Sequence, residues 1–168
     1  GKWDQYPLPN KGTFCYAGCG SAVASMILST YVDSSFIPPK VIGMYAKKGY
    51  YLGVNGSSIE DGRKIVESQG VETSKYIFSG KLWDAHKVAP MFKQYIDDGW
   101  TIYAVANFCQ TTKNGDGGCG HLFWVVDVDQ NGTIWANDPA YGQKSIPLNE
   151  NKKFPWPLYK AAVAVKKG

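Results

Sequence analysis

The stretch Phe14-Cys15-Tyr16-Ala17-Gly18-Cys19-Gly20-Ser21-Ala22-Val23-Ala24-Ser25-Met26-Ile27-Leu28 sets a thiol behind a glycine turn, where an apolar helical pattern begins. Ala22, Val23, Met26, Ile27 and Thr30 recur at helical spacing, which predicts an amphipathic helix that ends near Tyr31 to Asp33 and carries Cys19 at its start. A helix N-terminus presents backbone N–H groups and the positive end of the peptide dipoles, and both favour a thiolate over a thiol. The same N–H groups can face a developing oxyanion, so one location can supply both attack and charge stabilisation. Cysteine at such a place also occurs as a small packing residue, so a partner has to be sought elsewhere in the chain.

Upstream, residues 3–13 carry two prolines and little periodicity, and read as an extended lead-in. Downstream, Pro38 and Pro39 open a short helix with Val41, Ile42, Met44 and Tyr45 inward and Gly49 as its stop. Ser57 and Glu60 have the form of a capping box for a helix that runs through Ile65 and Val66 to Gly70. Residues 72–78 alternate loosely as an extended segment, and 79–83 read as a loop. Met91, Phe92, Tyr95 and Ile96 mark a further helix with Pro90 in its first turn and Gly99 after it.

From Trp100 the pattern changes to strands: 100–107, 121–129, 133–137 and 161–166, with Asn131-Gly132 as the hairpin turn between the middle two. A helical half followed by an antiparallel sheet is an α+β arrangement, and 168 residues suit one domain. The net charge of +4 comes from scattered lysines rather than a basic stripe, so nucleic-acid binding is not indicated. No apolar run approaches the ~18 residues of a membrane helix, and the polar opening Gly1-Lys2-Trp3-Asp4 is unlike a signal peptide. The tryptophan, tyrosine and glycine content, with Cys109 and Cys119 flanking a polar glycine-rich loop that a disulfide would close, suits a secreted or extracellular protein.

Only two histidines are available as a partner for Cys19. His86 lies beside Lys87 in a polar loop or early helical turn and reads as an exposed residue. His121 opens the apolar strand His-Leu-Phe-Trp-Val-Val, where it can serve as general base or as the imidazolium of an ion pair. A base histidine needs a group that orients its second ring nitrogen. The next strand ends in Asn137-Asp138-Pro139, and in a hairpin its far end returns alongside the start of the histidine strand. Because side chains alternate faces, at most one of Asn137 and Asp138 points at the imidazole; Asp138 is the choice and Asn137 the alternative.

Gly18-Cys19-Gly20-Ser21-Ala22-Val23-Ala24-Ser25-Met26-Ile27-Leu28, then Gly120-His121, then Asn137-Asp138-Pro139-Ala140-Tyr141-Gly142, resemble in this order the papain-fold cysteine peptidases related to bacteriocin-leader (double-glycine) peptidases, in particular their stand-alone secreted members. The resemblance spans roughly 3–142. It implies a papain-like fold with the cysteine on the helical half and histidine and aspartate on the sheet, and a thiol peptidase with Cys19 as nucleophile, His121 as base and Asp138 as orienter. It implies a peptide or protein substrate, no cofactor and a monomer. The family usually places an oxyanion-hole glutamine upstream of the cysteine, often just before a Trp-Asp pair. Here Lys2 precedes Trp3-Asp4, and Gln5 is the glutamine nearest to that role.

Three rivals compete with a peptidase. Cys15, Cys19, Cys119 and His121 are four side chains of zinc-ligating type, although the second pair lacks knuckle spacing. A cell-wall peptide hydrolase or amidase of the same fold is the second, but wall hydrolases of the NlpC type usually show Asp-Cys-Ser at the nucleophile. A binding module that keeps the fold without turnover is the third. Cys15, a turn before the helix, reads as buried or disulfide-bonded, and the 109–120 loop as a polar lid or an ordinary long hairpin.

Overall fold

The change from helical spacing to strand alternation is carried into an α+β architecture, seen in a computed structural model that describes residues 2–107, 120–139, 146–147 and 158–168. Cys109, Cys119 and the loop between them lie outside the described residues. The chain divides into two units. A helical unit holds residues 2–73, 139 and 167–168, and a sheet unit holds the described residues of 74–138 and 146–166.

In the helical unit a one-turn helix, Phe14–Ala17 (α1), leads into Cys19–Tyr31 (α2), followed by Pro38–Lys48 (α3) and Ile59–Ser68 (α4). Every residue of α2 from Gly20 to Leu28 except Met26 is buried, so the helix is covered nearly all round instead of showing the polar face of an amphipathic one. Its two buried hydroxyls are satisfied locally: Ser21 donates to the Gly18 carbonyl at 3.0 Å and Ser25 to the Phe36 carbonyl at 2.6 Å. In α3 the prolines occupy the first turn, where no N–H is missed, Val41, Ile42 and Tyr45 are buried, and Gly49 closes the helix in the left-handed region at φ 70°.

The cap of α4 lies one residue later than the sequence predicts. Ser58, not Ser57, accepts from the backbone N–H of Asp61 at 3.0 Å, and Glu60 is instead paired with Arg63. Ser57-Ser58 and Glu60-Asp61 offer the same spacing twice, and the phase of the buried residues Gly62, Ile65 and Val66 selects the second. Asn10 ties the lead-in to residues 52–53. Its backbone N–H donates to the Leu52 carbonyl at 3.1 Å, and its side-chain oxygen accepts from the Leu52 N–H at 3.0 Å. A side chain at Gly53 would put its Cβ 2.2 Å from the Asn10 carbonyl oxygen, so only glycine fits there.

The sheet unit comprises Glu72–Asp84 (β1, from its third residue), Ala85–Asp97 (α5), Thr101–Asn107 (β2), Gly120–Val128 (β3), Ile134–Asn137 (β4), Ile146–Pro147 (β5) and Leu158–Lys166 (β6). The strand order is β1-β6-β2-β3-β4-β5, and β2 pairs antiparallel with both β3 and β6, as β4 does with β3 and β5. Residues 79–83, read as a loop, continue β1: Gly80 takes φ 84°, so the strand absorbs an irregularity there without ending. The helix α5 starts earlier than its proline suggests. Asp84 caps it by accepting from the His86 N–H at 2.8 Å, and Pro90 sits inside the helix on its exposed side, where the carbonyl it leaves unpaired can meet water.

The turn after β3 is also longer than a two-residue hairpin. Asp129 and Thr133 close it, the Gly132 N–H donates to the Asp129 carbonyl at 3.0 Å, and Gly132 alone takes positive φ, at 77°. That is the three-residue form with glycine in the left-handed position. The Asp129 carboxylate holds it by accepting from the Trp135 indole N–H at 3.0 Å and from the backbone N–H groups of Asn131 and Thr133 at 2.9 and 3.0 Å.

One face of the sheet carries α5. Val88, Ala89 and Phe92 meet Ile102, Ala104, Phe123, Val125 and Tyr159 in a continuous core, with Phe92 edge-on to Tyr159 at 5.5 Å between ring centroids. Full burial pushes the Tyr159 phenol well above the usual tyrosine range, and its hydroxyl has no hydrogen-bond partner among the described residues.

Two outcomes follow. An unsatisfied buried hydroxyl costs roughly 1–3 kcal/mol, so Tyr159→Phe raises the unfolding free energy by about 1 kcal/mol in urea titration. The hydrogen bonds from Trp135, then Thr133, hold the Asp129 carboxyl below its ordinary value. A lowered folded pKa stabilises above the unfolded value of about 3.9 and is lost as pH falls through the folded one. Asp129→Asn therefore lowers the melting temperature at neutral pH, and the gap to the parent protein closes as pH is taken below about 4.

Candidate functional site

Cys19 is the first residue of α2. Its predecessor Gly18 is the N-cap, at φ −90° and ψ 12°, and no side chain caps the helix. The turn that presents the sulfur depends on that glycine. A Cβ at Gly18 would lie 2.5 Å from the Phe14 carbonyl oxygen and 2.6 Å from the Phe14 ring, whereas the Gly18 N–H donates to that same carbonyl at 2.9 Å. Cys19 is a half-buried thiol outside any disulfide. A thiol at the positive end of a 13-residue helix has the electrostatic setting that stabilises a thiolate. Gln5 lies in the same unit, exposed, on the turn of residues 2–5. Cys15 lies on α1, and its side chain is outside the described atoms.

His121 and Asp138 belong to the sheet unit, and the structure brings them together: Nε2 of His121 lies 2.5 Å from Oδ1 of Asp138. The side chains are 19% and 2% exposed, so water reaches one side of the imidazole and almost none of the carboxylate. A carboxylate only accepts, so in this contact the Nε2–H of His121 donates to Asp138. Phe123, two residues along β3, lies against the imidazole with ring centroids 6.2 Å apart. Of the two neighbours at the end of β4, Asp138 therefore reaches the ring. Asn137 is paired opposite Trp124.

The reason is a register shift absent from the sequence reading. Near the turn, Val128 pairs with Ile134 and Asp127 with Trp135, but beyond the shift Val125 pairs with Ala136 and Trp124 with Asn137, leaving Val126 as an extra residue in β3. Partners across a ladder share a face. Without the extra residue Asp138 would fall opposite Trp124, on the face away from His121; with it, Asp138 falls opposite Phe123, on the face of the imidazole. The core agrees, because Phe123, Val125 and Val128 line the same cluster, which is possible only if parity changes between Val125 and Val128. The one trace in the sequence is Val125-Val126-Asp127-Val128, where exposed Asp127 interrupts the apolar run.

His86 is exposed in the first turn of α5. Among the described residues no group of three or more His, Cys, Asp or Glu side chains is arranged to hold a metal ion; Cys119 lies outside them. No described helix is long and apolar enough to cross a membrane. The sequence matches no protein-family model, and no curated protein is significantly similar to it.

Removing the imidazole takes from a buried carboxylate the hydrogen bond it accepts from His121. His121→Ala lowers the unfolding free energy by up to about 3 kcal/mol, and adding Asp138→Asn to it restores part of the loss, both read from denaturant titrations at pH 7.

Proposed function

We propose that this chain is a thiol-dependent hydrolase of papain-like fold that cleaves peptide bonds, with Cys19 as nucleophile, His121 as general base and Asp138 as the residue that orients it. The observation that carries the reading is the His121–Asp138 hydrogen bond. It sets Nε2 against a buried carboxylate, as an orienting residue would, and in this reading Nδ1 is the nitrogen that takes the proton. The half-buried thiol at the start of α2 supports it from the other unit.

In this mechanism His121 Nδ1 takes the proton of the Cys19 thiol, and the sulfur attacks the carbonyl carbon of the scissile amide. The tetrahedral oxyanion is met by backbone N–H groups at the start of α2 and by the Gln5 amide. The C–N bond breaks, the amine leaves with the proton held on His121, and water then hydrolyses the thioester by the same route. The reading takes 1–168 as a single peptidase domain that acts outside the cell as a monomer, on a peptide, a protein or a cell-wall peptide, without a cofactor.

The test is hydrolysis of a quenched fluorescent peptide library, with purified peptidoglycan in parallel. Cys19→Ala abolishes turnover, and Gln5→Ala lowers kcat by about a hundredfold to a thousandfold. Asp138→Asn lowers kcat and narrows the pH profile without a matching change in KM. Activity that survives Cys19→Ala, or peptide binding without turnover that is unaffected by it, overturns the reading; turnover of peptidoglycan alone moves it to a wall hydrolase.

A further inference from the structure

Beside the histidine hairpin the sheet carries a second interruption. The strand β6 is an interior one, between β1 and β2, and its pairing with β2 shifts between Val105 and Ala106. Val105 pairs with Ala161 and Ala106 with Tyr159, so Lys160 is an extra residue in β6. On the other side of β2, Ala106 pairs with His121. His121, Ala106 and Tyr159 therefore form one row across three strands, and Lys160 bulges out at the end of that row. Neighbouring strands lie about 4.8 Å apart, which sets the backbone of Lys160 about 10 Å from that of His121.

The ladder does not need this residue. With Lys160 left out, Tyr159 and Ala161 would follow each other with the partners they already have, and side chains would alternate without a break. What Lys160 adds is a charge in contact with water: it is exposed, whereas Tyr159 before it and residues 161–165 after it are buried. Among the described residues its ammonium makes no ion pair, hydrogen bond or ring contact, whereas Lys166 of the same strand lies over the Trp100 ring at 4.3 Å. A bulge re-aims a side chain, and this one delivers a cation to the end of the sheet that holds the His121–Asp138 pair. Asp138 lies beyond His121, next to the end of β4, and is 2% exposed, so the ammonium is left for an incoming group.

We propose that Lys160 is a specificity-determining residue that receives a carboxylate of the substrate, within about three residues of extended chain from the bond that is cleaved. The proposal rests on the hydrolase reading, and the experiment separates the two. The best-cleaved peptide of the fluorescent library is resynthesised with Glu, Gln or Lys at each of the three positions on either side of the cleaved bond. It is also truncated to end one, two or three residues beyond that bond, as free acid and as amide, which tells a side-chain carboxylate from a chain terminus. Each peptide is compared by kcat/KM. At one position Glu is favoured over Gln, or at one length acid over amide, by up to about fivefold, the range of an exposed ion pair. The preference fades in 1 M NaCl, where the screening length falls to about 3 Å. Lys160→Met removes it, Lys160→Glu turns it toward Lys, and Lys160→Arg keeps it. Lys87→Met, at another exposed lysine of the same unit, leaves it unchanged.

Cys19-dependent turnover with no preference for a carboxylate, or with a preference that survives Lys160→Met, overturns the role of Lys160 and leaves the hydrolase standing. Absence of Cys19-dependent turnover across the library overturns both. Lys160 is exposed, and the melting temperature of each variant checks that it is folded.

Discussion

Side chains along a strand alternate strictly between two faces, and in this protein one extra residue, Val126, decides what that alternation means for His121. The turn at Asp129 to Thr133 sets the register at one end of the hairpin, and the apolar face against α5 demands Phe123 and Val125 at the other. The two demands differ by one residue. Bulging Val126 out of the ladder satisfies both, at the cost of a local interruption in pairing, and it carries Asp138 onto the imidazole's face. The buried ion-pairing geometry is thus a consequence of how the sheet reconciles its turn with its core. A carboxylate 2% exposed would be expensive to bury if it arrived on the other face, where no imidazole waits.

The helical unit solves a different problem with similar economy. To present a thiol at a helix start, the chain must arrive at close quarters with the preceding turn, and Gly18 provides the clearance where any side chain would strike Phe14. The helix behind it is buried from Gly20 to Leu28 except at Met26. The lead-in that precedes it is pinned to Leu52 by the backbone N–H and the side-chain oxygen of Asn10.

Much of this was legible in the residues because it depends on local chemistry. Apolar spacing marked α2 and α3, the prolines and Gly49 marked the ends of α3, and the change to strand patterning after Gly99 marked the α+β division. The failures were places where distant contacts outweighed local preference. Ser79-Gly80 looks like a turn, yet β1 runs through it. Pro90 looks like a helix start, yet the Asp84 cap lies six residues earlier. At the histidine hairpin, proximity of the two strand ends followed from topology, but the face that Asp138 adopts did not. Residues 122–126 are apolar on both faces, so nothing in them records parity.

The burial of α2 also has a consequence before folding is complete. A helix that meets water on almost no side offers, while unpaired, an uninterrupted segment from Ala22 to Leu28 with no charge and no proline. Such segments associate between chains when exposed at high concentration. The residues that deliver Cys19 are therefore among those through which newly made chains can associate before α3 and α4 pack against them.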